Sequence, residues 1–188
     1  MTTLIWNPIL LEQLTFHWES QLRPRLEGLT DDEYFWEPAP DCWSVRPRGS
    51  GTAPVQAGGG TMTIDFAFPE PDVAPFTTIA WRLGHVVVGV LAVRNASHFG
   101  REATDYESFA YAATAAEALA QLDEEYVRWT AGVASLGEEH LAQPVGEAEG
   151  YHATSPYAEL VLHIHRELIH HLAEVCLLRD LYAAQRAE

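Results

Sequence analysis

Between residues 163 and 174 the chain reads His-Ile-His-Arg-Glu-Leu-Ile-His-His-Leu-Ala-Glu, gathering four of its nine histidines and two glutamates. The segment has the apolar spacing of a helix. At about 100° per residue, His163, Glu167, His170 and Glu174 fall within roughly 60° of one another, and His171 sits at the edge of that arc, one turn beyond Glu167. Imidazole nitrogen and carboxylate oxygen side by side suit a transition metal such as Zn, Ni, Fe or Mn. Spacings of three and four residues let two side chains meet one ion. The competing reading is a solvated polar face, and a third ligand from another element decides between the two.

His85 is the outstanding candidate for that ligand. It lies mid-helix in an apolar setting, Trp81-Arg82-Leu83-Gly84-His85-Val86-Val87-Val88. Gly84 and Gly89 are expected to let another helix come close. A lone histidine on an apolar face is more often a core residue, but an imidazole cluster elsewhere in the chain makes this one a candidate ligand. His17, beside Trp18, is a candidate for lining the same cavity. His98 lies near a helix C-terminus, where the dipole favours a cation, so its expected role is structural. His140 and His152 read as exposed. The two cysteines, Cys42 and Cys176, have neither metal nor redox spacing. Cys176 reads as a buried thiol, and no local signature marks Cys42 as a nucleophile.

Four long helices must position these groups. Ile9, Leu10, Leu14, Trp18, Leu22 and Leu26 mark a first helix over about residues 8–27, ended by Gly28. Thr30-Asp31-Asp32-Glu33 opens a short helical turn. Residues 37–75 are rich in Pro and Gly and form a long connection, with one strand-like segment at Met62 to Phe68. Thr77 or Thr78 caps a second helix that runs to about Phe99 and stops at Gly100. Thr114 with Glu117 starts a third, which ends at Gly137. Ser155-Pro156 opens the fourth, with Pro at the first helical position, and that helix carries the histidine cluster to the C-terminus. The expected fold is all-α, a four-helix bundle with a long crossover between helices 1 and 2, in one domain over residues 1–188.

Composition narrows the function. Eleven basic against 27 acidic residues leave a formal charge of −16, which argues against nucleic acid or anionic lipid as partner. The longest apolar run, Val86 to Val93, is too short to span a bilayer. With no secretory signal at the N-terminus, a cytoplasmic location and a small-molecule substrate are the expectations.

Four segments together resemble the DinB-like superfamily of four-helix bundles, in its actinobacterial form: Leu29-Thr30-Asp31-Asp32-Glu33-Tyr34, Cys42-Trp43-Ser44-Val45-Arg46-Pro47, Thr78-Ile79-Ala80-Trp81-Arg82-Leu83-Gly84-His85, and Glu167-Leu168-Ile169-His170-His171-Leu172-Ala173-Glu174. Each is weak alone, but their order and spacing are fairly specific, and the resemblance covers most of the chain. That superfamily includes bacterial thiol S-transferases and mycothiol-dependent maleylpyruvate isomerases. The resemblance implies a divalent metal, usually Zn or Ni, held by one histidine of the second long helix and a His-x-x-x-His pair of the last. The pair ends on the second histidine of a doublet. On this chain those positions are His85, Glu167 and His171, with glutamate where the pattern has histidine. Angular arithmetic alone favours His163 or His170 beside Glu167; the resemblance moves the choice to His171, with His170 second.

The resemblance further implies a low-molecular-weight thiol of the mycothiol type, transferred to an electrophile or used in an isomerisation. Trp43 and Arg46 are candidates to wall the pocket and receive an anionic substrate. A metal-dependent hydrolase on the same bundle, and a non-catalytic stress-related interaction module with a structural or lost metal site, are the alternatives. Bundles of this kind often pair, so a homodimer is a further expectation.

Overall fold

The computed structural model describes residues 4–187. Helix α1 spans Trp6–His17 and runs on through a π turn, Trp18–Leu22, and a 3-10 turn, Arg23–Leu26. Its stripe of Leu14, Trp18, Leu22 and Leu26 is buried. Pro24 has no N–H to continue the α ladder, so the helix widens before it and tightens after it. Gly28, at φ 71°, then supplies the left-handed residue that ends the helix. Thr30 caps the short helix α2, Asp31–Tyr34, by accepting the Glu33 N–H.

The long connection holds more structure than its composition suggests. Strands β1 (Val45–Pro47), β2 (Val55–Ala57) and β3 (Met62–Phe66) form an antiparallel sheet in the order β1-β3-β2. The expected strand is the central one. Its two partners are three residues each, too short to show alternation, and β3 is covered on both faces from Met62 to Asp65, so its burial does not alternate either. Asp65 clamps the sheet. Its Oδ2 accepts the Ser44 N–H at 3.0 Å and the Arg46 Nε–H at 2.9 Å.

This sheet sets the start of the second long helix. Trp43 N–H donates to the Phe76 carbonyl and Thr78 N–H to that of Trp43. The hydroxyls of Ser44 and Thr78 lie 2.9 Å apart, and Thr78 caps the helix by accepting the Trp81 N–H. The indole N–H of Trp81 donates to the Asp65 carbonyl at 2.9 Å. The helix that follows is helical throughout but not α throughout: α3 (Ile79–His85) passes into a seven-residue π segment, Val86–Ala92, and returns to α4 (Val93–His98).

Thr114 caps α5, Ala115–Ala134, through the Glu117 N–H. A short α6, Glu138–Leu141, follows Gly137, and α7 covers Tyr157–Gln185. Pro156 is the extended residue just before α7, one place earlier than its expected position. Helix α1, the α3–α4 helix, α5 and α7 pack on one another as the bundle. Leu14, Leu83, Leu91, Leu122, Trp129, Ile164, Leu168 and Leu172 fill its centre. Among the described residues no helix is long and apolar enough to cross a membrane.

Candidate metal centre

Ile164, Leu168, Leu172 and Val175 bury the inner face of α7. Glu167, His171 and Glu174 flank that face and stay half-buried, as Arg82, His85 and Gly89 flank the buried Leu83, Val86 and Val87 of the second helix. Because α3 packs on α7, the two rims close on each other. His85 and His171 meet edge to face, with ring centroids 4.7 Å apart.

Each imidazole is held from behind through its Nδ1. The Tyr106 hydroxyl lies 2.7 Å from His85 Nδ1, and Glu174 Oε2 lies 2.9 Å from His171 Nδ1. Arg82 forms an ion pair with the same Glu174 oxygen at 3.1 Å, and its Nη1 lies 3.4 Å from His171 Nδ1. Glu167 divides its oxygens. Oε2 sits 3.4 Å from His171 Nε2, while Oε1 faces outward to His163 Nδ1 at 3.6 Å and Arg166 Nε at 3.5 Å. The Trp81 indole stacks on His85 at 5.3 Å, and Phe66 and Trp43 extend the aromatic wall behind it.

Burial holds the His85 pKa down to about 4, helped by the neighbouring His171 and Arg82 and opposed by Glu167 and Glu174. His85 is therefore neutral at pH 7, with a ring lone pair to offer. Burial pushes the Tyr106 phenol up to about 12, so it stays protonated.

A sequence profile of the DinB superfamily matches residues 13–175. The chain belongs to the DinB superfamily. No curated protein and no solved structure matches it. Members of the superfamily are generally metal-binding, and this chain carries a compact cluster of histidine and glutamate donors on α7.

The donor chemistry of this DinB bundle fits a divalent ion. With Nδ1–H of His85 donating to the Tyr106 oxygen and Nδ1–H of His171 donating to Glu174, the free lone pair of each ring is on Nε2. An outer partner on the remote nitrogen is what metal-ligating histidines usually have. Glu167 Oε2 is the carboxylate oxygen next to one of those Nε2 atoms. The compact cluster lies on α7 alone: one ligand atom each from His170, His171 and Glu174 lie within 4.8 Å of one another. His170 is the most exposed of these, and its Nε2 is 3.9 Å from Glu174.

The other candidates are placed as follows. His163 reaches Glu167 from the outer side. His17 bonds Gln21 on its own helix, at 3.0 Å, and none of its hydrogen bonds leads to the cluster. Trp43 packs on Phe66 and Trp81, two rings away from His85. The Arg46 guanidinium is committed to Asp65, Glu37 and the Cys42 carbonyl, so its donors are engaged inside the protein. His98 sits at the end of α4 between Tyr157 and Glu149, at 2.9 Å from each, and His140 packs on Tyr157. Cys42 and Cys176 are buried and free.

The two glycines near His85 work differently from their expected role. Gly84 clears Ile64 of β3 and Tyr111, and Gly89 clears Tyr106, so the first admits the sheet and the 99–114 loop and the second that loop, instead of another helix. Tyr106 is the site residue that sequence reasoning missed. It lies in a polar loop stretch, Asp105-Tyr106-Glu107-Ser108, with no motif. The one hint was a glycine inside a valine-rich helix.

Proposed function

We propose that this chain is a metal-dependent enzyme in which His85, Glu167 and His171 hold a divalent ion, Zn or Ni. Its reaction, on this reading, transfers a low-molecular-weight thiol of the mycothiol type to an electrophile, or uses that thiol in an isomerisation. The observation that carries it is the meeting of His85 and His171 across the α3–α7 seam, 4.7 Å apart. Both have their δ nitrogens engaged by outer partners. A solvated polar face on one helix does not need such support from a second helix and a loop.

The chemistry such an ion supplies is to acidify a thiol or a water, so that thiolate or hydroxide is available near neutral pH. The protein supplies the rest. Trp81, Phe66 and Trp43 form an apolar wall on the His85 side. Arg166 and His163, at the outer edge of Glu167, are placed to meet the anionic groups of an incoming substrate. Beyond them opens a recess of about 410 Å³, lined by Arg94, Glu149, His163, Arg166 and Leu160, with room for the body of a small molecule.

A second ligand set, His170, His171 and Glu174, is supported by its compactness. Elemental analysis of protein purified without an affinity tag or chelator separates the two. Near-stoichiometric Zn or Ni, lost in His85→Ala and Glu167→Ala but kept in His170→Ala, supports the interhelical triad. In that case Glu174→Ala weakens binding about 10- to 100-fold without abolishing it, as expected of an outer partner. Metal lost in His170→Ala and Glu174→Ala but kept in His85→Ala assigns the ion to α7 alone. Product analysis with and without added thiol then distinguishes thiol transfer from hydrolysis. Wild type that takes up neither ion, even when both are added, favours a non-catalytic interaction module.

A further inference from the structure

We propose that Tyr106 is the positioning residue that aims His85 at the metal, and that Gly89 is glycine so that the Tyr106 phenol can reach it. The inference rests on the reading of His85 as a ligand. Gly89 has no left-handed backbone to explain its choice. It lies within the regular π segment Val86–Ala92, where alanine is the better helix former. The reason is space. A Cβ at Gly89 would stand 2.0 Å from the Tyr106 hydroxyl oxygen, 2.9 Å from its Cζ and 3.3 Å from His85 Nδ1. A methyl group there and the Tyr106–His85 bond of 2.7 Å exclude each other.

The phenol is held in place from its own side. The Tyr111 hydroxyl donates to the Tyr106 carbonyl at 3.1 Å, and the Phe66 ring lies 5.8 Å away. Asp105 Oδ1 accepts the backbone N–H groups of Glu107 and Ser108, which fixes the turn that carries Tyr106. The Arg94 guanidinium, for its part, donates to the Gly89 carbonyl at 2.9 Å and holds the π turn. Two restrained backbones thus meet with the Tyr106 phenol between them. The Tyr106 oxygen stands 2.7 Å from His85 Nδ1, where it accepts that nitrogen's proton when Nε2 faces the ion. With Nδ1–H donating to Tyr106, the imidazole cannot turn its protonated nitrogen toward the ion.

The test is Zn affinity, by competition with a chromophoric chelator, for wild type, Tyr106→Phe, Gly89→Ala, the double variant and His85→Ala. Thermal unfolding of each metal-free protein is measured alongside. The phenylalanine variant keeps the ring and removes only the oxygen. Each single variant is expected to bind Zn about 10- to 100-fold more weakly. The double variant should be no weaker than the weaker single, because both substitutions remove the same bond. Metal-free Tyr106→Phe should still unfold cooperatively, which separates positioning from loss of fold. Wild-type Zn affinity in Tyr106→Phe, with binding lost in His85→Ala, overturns the proposal and leaves the His85 reading intact. Wild-type affinity in His85→Ala removes the reading itself.

Discussion

His85 and His165 show how one residue type serves two ends at the residue scale. Both imidazoles are held near a pKa of about 4, and for both burial is the leading cause. His85 has partners on either side and a place beside His171. His165 is 6% exposed, packs against Trp129, and has an Nε2 with no partner. It is a core histidine that must stay neutral. Its folded pKa lies below the unfolded value near 6.5, so its stabilising contribution is complete above about pH 6.5. The contribution is lost as pH falls toward about 4. At about 1.4 kcal/mol per unit, roughly 2 kcal/mol has gone by about pH 5. His165→Leu should therefore close on wild type by about that amount between pH 7 and pH 5, in urea unfolding of the metal-free proteins. His85 titrates alike in both and cancels from the difference. A gap independent of pH would mean that His165 is not the neutral core group described.

The elements show where sequence is legible and where it is not. The four long helices follow from apolar spacing and, for the second and third, from caps at Thr78 and Thr114, and those signals are local. Helical spacing alone pointed to His163 or His170 beside Glu167, and the resemblance moved the choice to His171, whose ring the structure sets against that of His85. The sheet was not legible. β1 and β2 form because β3 pairs with both, and nothing in Val-Arg-Pro or Val-Gln-Ala announces a strand alone. The π segment was equally silent, since the apolar run from Val86 to Ala92 reads as part of one continuous helix and its composition does not separate π from α. Arg46 read as a substrate-binding cation because its partners, Glu37 and Asp65, lie 9 and 19 residues away.

The Arg46–Asp65 clamp can be tested as an element. Asp65 is 2% exposed. Asp65→Ala leaves the Ser44 N–H and one Arg46 donor without an acceptor in the interior. The expected cost is roughly 3 kcal/mol in urea unfolding. Glu37→Ala, which removes the more exposed partner, should cost less than about 1 kcal/mol. Equal costs would mean that the clamp is a surface ion pair and that other contacts hold the sheet on α3.

For the whole molecule, the proposed ion would tie α3 to α7 through His85 and His171, which are 86 positions apart in the chain. An ion that binds the folded form and not the unfolded one stabilises by RT ln(1 + [L]/Kd), about 2.7 kcal/mol at 100 times Kd. For a domain of this size that corresponds to a rise in Tm of roughly 5–10 °C. A chain with a formal charge of −16 also collects divalent cations loosely around its surface, which could imitate the effect. Salt separates the two, because screening at high ionic strength weakens exposed electrostatics far more than coordination inside the seam. Zn should raise Tm in wild type at both 0.15 M and 0.5 M NaCl, and Mg should not. In His85→Ala and His171→Ala any Zn-dependent rise should be small at 0.15 M and vanish at 0.5 M. The same rise in those variants at high salt would show that the ion acts elsewhere on the molecule and that the seam between α3 and α7 holds through packing alone.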